Sequence, residues 1–179
     1  MTHQALAARF DQRFDALYIG LVSDVEDPDK IGRVKVKLPW YASGYEEWAR
    51  VSQIYAGDGF GSTWVPEVDT EVLVAFGHGD MRFPYVLGSL FSTTDAPPES
   101  RSSSSDVKTL LTPGGSELRF DETNKTIEVK TKSNASIKLE EDGGAITLKG
   151  SQKITLDAPE IEISGSSKVT IKGGQVAIN

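Results

Sequence analysis

The 179-residue sequence contains no cysteine. Disulfide staples, zinc ribbons, iron–sulfur clusters and thiolate catalysis are therefore excluded together. Histidine is nearly absent, with only His3 and His78. No stretch approaches the roughly 18 apolar residues of a membrane span, and the opening "MTHQALAARFDQRFDALYIG" has charges throughout in place of the apolar centre of a signal peptide. Basic residues are outnumbered, 19 Lys+Arg against 26 Asp+Glu, for a net charge of -7. Residues 1–101 carry -6 of this, nine basic against fifteen acidic, and residues 102–179 carry -1, ten against eleven. A phosphate backbone needs clustered Lys and Arg, so the balance argues against a nucleic-acid partner. These features indicate a soluble protein assembled in the cytoplasm.

What is present falls into two textures. Leu6, Phe10 and Phe14 recur at four-residue spacing, which predicts a short helix within residues 1–16 whose apolar face either packs on its own domain or docks a partner. Five β signals follow over residues 17–95: "ALYIGLVSDV", "GRVKVKLPW", "WARVSQIY", "TEVLVAFG" and "YVLGSLF". In the second, Val34, Val36 and Leu38 alternate with Arg33, Lys35 and Lys37, the period of a half-buried strand. Five short strands separated by turn formers predict a small closed barrel of the oligonucleotide/oligosaccharide-binding (OB) type, since closure hides sheet edges.

Residues 96–115, rich in Ser, Pro and charge, read as a linker. From residue 116 to 179 apolar residues recur as i, i+2 pairs: Leu118/Phe120, Ile127/Val129, Ile137/Leu139, Ile146/Leu148, Ile154/Leu156, Ile161/Ile163, Val169/Ile171 and Val176/Ile178. Successive pairs are 9, 10, 9, 8, 7, 8 and 7 residues apart, with Gly, Ser, Asp, Lys and Thr between, so each repeat is a short strand and a corner. Eight strands make fewer than three turns of a single-chain triangular solenoid, too few for independent stability. Shared among three chains, the same strands make eight layers, a rod of about 38 Å at roughly 4.8 Å per layer. The expectation is a trimeric, intertwined β-helix prism with the pairs from Ile127/Val129 to Val169/Ile171 as its core. An antiparallel meander stays open, because "DGGA" and "KGGQ" can form hairpin turns.

"DPDKIGRVKVKLPWY", "WARVSQIYAGDGFGSTWVPEVDTEVLVAFGHGD" and "RFPYVLGSLF", spanning about residues 17–92, resemble the conserved core of the central spike proteins of contractile injection machines. That family includes phage baseplate assembly protein V, spikes of contractile bacteriocins (tailocins) and extracellular injection systems, and the valine–glycine repeat proteins of type VI secretion. The resemblance implies an all-β chain with an OB barrel and a trimeric β-helix, located in a virion tail or injection-system baseplate, and a structural role without enzymatic activity or cofactor. It also implies a homotrimer seated on a separate hub protein, with transient contact to a target membrane. Leu6, Phe10 and Phe14 are the candidate hub-docking residues. Val176, Ile178 and Asn179 are the candidate seat of a tip protein of the proline-alanine-alanine-arginine (PAAR) repeat class, since the last hundred residues have no His to hold an apical metal.

Other chemistry is weaker. "GDGFGS" lacks the Lys-Ser/Thr of a phosphate loop and precedes a strand pattern, so it reads as a turn. Asp24, Glu26, Asp27 and Asp29 lack calcium-loop spacing and read as a solvated turn. His78 and Asp80 have no further ligand set and read as loop residues. Trp40, Trp48, Trp64, Tyr41 and Tyr55 read as core and interface groups rather than a stacking platform. The alternative function is an OB-fold carbohydrate- or nucleic-acid-binding module with a trimerising β-tail.

Overall fold

The computed structural model describes residues 13–41, 44–100, 102–103 and 106–177. The chain divides into two compact units, residues 1–97 and 98–179. Among the described residues all regular structure is β, apart from one 3₁₀ turn at Gly77–Gly79, and no helix is long and apolar enough to cross a membrane.

The first unit is a closed barrel. β1 (Tyr18–Asp24), β2 (Val34–Lys37), β3 (Glu46–Val51), β6 (Glu71–Phe76) and β7 (Pro84–Ser89) follow one another around it in the order β1-β2-β3-β7-β6. Four contacts are antiparallel and one is parallel: β3 meets β7 with Arg50 beside Tyr85 and Val51 beside Val86. All five strands lie where alternation predicts them. Their inward residues, Val22, Val34, Val36, Ala49, Val72, Val74 and Val86, are fully buried, with Leu38 and Phe76 nearly so. Apolar residues at every second position point to one face of a pleated strand, and closure of the barrel makes that face the core. Space inside is tight at Gly20, where a Cβ would lie 2.5 Å from Val36 Cγ1 and 3.1 Å from Val74 Cγ2. "GDGFGS" forms a small hairpin between β3 and β6, β4 (Ala56–Gly57) pairing with β5 (Phe60–Gly61).

Phe14 is half-buried against the aromatic end of the barrel core. Its ring meets Tyr18, Trp40, Tyr41 and Phe76 at centroid distances of 5.6–6.4 Å, and its amide donates to Gly79 O at 3.0 Å. Residues 13–15 carry no regular secondary structure. The helix expected within residues 1–16 lies mostly outside the described residues. Leu6 and Phe10 lie outside the described residues.

The second unit is a five-stranded antiparallel meander: β8 (Val107–Leu111), β9 (Glu117–Asp121), β10 (Thr126–Lys130), β11 (Ser136–Glu140) and β12 (Ala145–Lys149), in the order β12-β11-β10-β9-β8. β8 falls inside the segment expected to be a linker, because Val107–Leu111 pairs along its whole length with β9. The pairs Ile127/Val129, Ile137/Leu139 and Ile146/Leu148 thus stack within one chain in an antiparallel ladder. Connections of four or five residues make adjacent strands antiparallel neighbours. Among the described residues no strand follows β12.

Candidate assembly surfaces

Register places the apolar pairs of the meander on one face, in two rows. Ile127 lies opposite both Phe120 and Leu139, and Leu139 opposite Ile146; Val129 lies opposite Leu118 and Ile137, and Ile137 opposite Leu148. Lys108 extends the first row beyond Phe120, and Leu110 the second beyond Leu118. The face is uncovered within the chain: Ile137 remains 47% exposed and Ile146 71%. Shallow grooves run along it, one of about 410 Å³ lined by Phe120, Ile127, Leu139 and Ile146, and one of about 360 Å³ from Val129, Ile137 and Leu148 to Ile154.

The opposite face is polar and better covered. The Glu117 side chain is only 9% exposed; it accepts from Lys130 Nζ at 2.7 Å and from Thr109 Oγ1 at 3.1 Å. Lys130, then burial acting the other way, set the Glu117 carboxyl below its ordinary range. Arg119 pairs with Glu99, and Lys138 donates to Glu140 at 2.9 Å. Charged side chains lie over one another on this face while Ile and Leu project into solvent on the other. That inverts the usual rule for an isolated sheet.

Residues 151–177 continue the pattern without intrachain pairing. Ile154, Leu156, Ile161, Ile163, Val169 and Ile171 are all exposed, as is Val176 at 51%. Ile178 and Asn179, the other candidate tip residues, lie outside the described residues.

The barrel holds its charged groups in structural roles. Asp27, expected to be solvated, has a side chain only 4% exposed. Its carboxylate accepts from the amides of Asp29, Ile31 and Arg33 at 2.9–3.1 Å, and from Arg33 Nε and Nη2 at 3.0 and 2.7 Å. The Arg33 guanidinium beside it, against the opposing effect of burial, holds Asp27 well below the usual carboxylate range. Arg33 also lies 5.8 Å over the Trp48 ring. "DPDKIGR" is thus a loop closed on its own carboxylate. Reciprocal Asp and Arg six residues apart around a Pro and a Gly are the signal that could have shown it.

His78 sits in the 3₁₀ turn with φ 55°. Asp80 pairs with Arg82 at 2.6 Å, which holds its carboxyl down to about 2. Trp40 stacks on Tyr18 at 5.0 Å and donates to Ile19 O at 3.0 Å. Tyr41 joins the same cluster, while Trp64 is clasped through its backbone by Gln53 and stays half exposed, and Tyr55 tilts against Phe60 on the hairpin. Among the described residues no group of three or more His, Cys, Asp or Glu is placed to hold a metal ion.

Comparison with known proteins agrees with this arrangement. Residues 18–91 match the family described as the type VI secretion system/phage-baseplate injector OB domain. Over 75 residues the chain is 40% identical to the actin cross-linking toxin VgrG1 of Vibrio cholerae serotype O1, covering 39% of this chain and 7% of that protein. Over 145 residues it is 31% identical to the type VI secretion system spike protein VgrG2a of Pseudomonas aeruginosa, covering 78% of this chain and 17% of that one. An alignment covering 78% of the chain cannot be contained in residues 1–97, so likeness extends into the second unit. The chain spans less than a fifth of the length of these curated relatives. Residues 18–91, the closed five-stranded barrel, are an injector OB domain of the type VI secretion system/phage-baseplate family, and the chain that carries them is VgrG-like.

Proposed function

We propose that this chain is the structural, non-enzymatic central spike of a contractile injection machine, a homotrimer that seats by its barrel on a baseplate hub and passes the force of contraction into a target envelope. The observation that carries the reading is the meander's uncovered apolar face, followed by a run of i, i+2 apolar pairs that find no strand partner within the chain. Such surfaces lose free energy when other chains cover them and complete their hydrogen-bond ladders. Three copies would wind residues 151–177 into a closed prism, whose interchain ladders leave no exposed edge from which unfolding can begin. Stiffness is then the mechanism: a rod that does not fray can be driven through a membrane.

The partners in this reading are a hub protein at the barrel and a PAAR-repeat tip protein at Val176, Ile178 and Asn179, with assembly in the cytoplasm and residence in a tail or baseplate. Light scattering on the full chain should give about three times the 19.4 kDa of one copy. A monomer that persists at high micromolar concentration would overturn the trimer and, with it, the shaft. Co-purification with a separately tagged PAAR-repeat protein, lost on Val176→Asp, tests the tip contact.

A further inference from the structure

The two parts of the second unit differ in how firmly they specify alignment between chains, and the trimer proposed above makes that difference matter. Beyond Gly150 the repeats are nearly interchangeable. Ile154 and Val169 are 15 residues apart, as are Ile161 and Val176, and each begins a pair of the same Ile/Leu/Val type. A chain displaced by two repeats therefore still meets an apolar pair at every level except at the ends of the run. Strands whose pattern repeats in this way specify register weakly.

The meander does not share that degeneracy. Its pairing is set inside each chain by residue-to-residue ladders from Val107 to Lys149, and turns of four or five residues permit no slip. Its apolar face has distinguishable ends and rows. Phe120 is the one aromatic on it, and Lys108 stands beyond Phe120 where the neighbouring row has Leu110. Other copies of this chain are the occupant that fits the face. The chain's own residues 151–177 are exposed and do not cover it, a near-neutral balance of ten basic and eleven acidic residues over 102–179 lets copies approach, and the groove that reaches Ile154 joins the face to the repeats that other chains must complete.

We infer that the meander β8–β12 is the register-setting element of the trimer: three preformed apolar faces associate in one alignment, and that contact dictates which levels of residues 151–177 lie side by side. Local hairpins form before contacts between chains, so the specific surface exists before the degenerate one is wound.

The absence of cysteine makes the test direct. Full-length chains carrying Val176→Cys are mixed with differently tagged chains carrying Ile161→Cys or Val169→Cys, refolded together and mildly oxidised. Like positions crosslink in an aligned trimer, whereas 161–176 and 169–176 crosslinks report slips of two repeats and one. The expected result is like-to-like crosslinking alone when the meander is native. Adding Ile127→Ala and Leu139→Ala to both chains should raise the mixed crosslinks about tenfold or more relative to the like ones. Adding Ile154→Ala and Leu156→Ala instead should not. If the meander substitutions abolish the trimer while fluorescence of Trp40, Trp48 and Trp64, all in the barrel, is unchanged, the meander is again the element that directs association. Mixed crosslinks with a native meander, alignment unchanged by its substitution, or equal slippage from the distal pair would each overturn the inference. A native protein with the mass of one chain would instead overturn the trimer itself.

Discussion

Ile137 offers a graded measurement of what the meander's apolar face contributes to assembly. Ile137→Ala removes three carbons, worth about 0.8 kcal/mol each when fully buried. Ile137 is 47% exposed in the single chain, so about half of that total, roughly 1.1 kcal/mol, becomes available only when other chains cover the face. Three copies bring the loss to about 3 kcal/mol per trimer, or roughly 150-fold in the association constant. The midpoint concentration of a three-body association varies as the inverse square root of that constant, so it should rise about 12-fold. Sedimentation equilibrium across a dilution series, in a fixed urea concentration that brings the parent midpoint into range, measures this. Lys138→Ala is the control: the next residue points to the opposite face, where its contact with Glu140 is an exposed pair of small worth. A midpoint that moves less than about threefold for Ile137→Ala, or equally for both variants, would refute the reasoning that this face is buried on assembly.

The barrel supports further expectations. Because Arg33 depresses the Asp27 pKa, the stability Asp27 contributes is fully present above the unfolded carboxylate value near 4 and is lost as pH falls from there toward the folded value; melting curves of Asp27→Asn should be lower than the parent's at pH 7, with the gap constant down to the carboxylate range and narrowing progressively as pH falls below it. Gly20→Ala forces a methyl to 2.5 Å from Val36 Cγ1, an overpacking cost of about 1–3 kcal/mol, read as a lower barrel melting temperature by tryptophan fluorescence. Phe14→Ala should lower that temperature by about 10 °C, from roughly 2 kcal/mol of half-buried ring contact; an unchanged melt would mean that the aromatic cluster around Phe14 contributes little to barrel stability. With -6 on residues 1–101, single-stranded DNA should show no submicromolar binding at physiological salt, and a clear gel shift would restore the nucleic-acid alternative.

Alternation of apolar and polar residues determined much of this protein without any structure. Val34, Val36 and Leu38 against Arg33, Lys35 and Lys37 mark a strand with one buried face, and the same rule finds all five barrel strands and the apolar pairs from Leu118 to Val176. Side-chain period follows from the geometry of a single strand, so it is written locally. What lies beside each strand is not. The parallel contact of Arg50 and Val51 with Tyr85 and Val86, which closes the barrel, joins segments 35 residues apart in sequence. Asp27 shows the same limit on a smaller scale: in sequence it is one acid among four in a turn, and only the folded loop turns three amides and a guanidinium toward it. Phe14 shows in sequence only its four-residue spacing from Phe10 and Leu6, while its ring contacts come from β1, β6 and the loop after β2. In the second unit the i, i+2 pairs establish which face must be covered, but a ladder within one chain and a ladder between chains use identical backbone hydrogen bonds. Short turns decide in favour of the first for residues 107–149, because neighbouring strands a few residues apart pair at the smallest cost in loop-closure entropy.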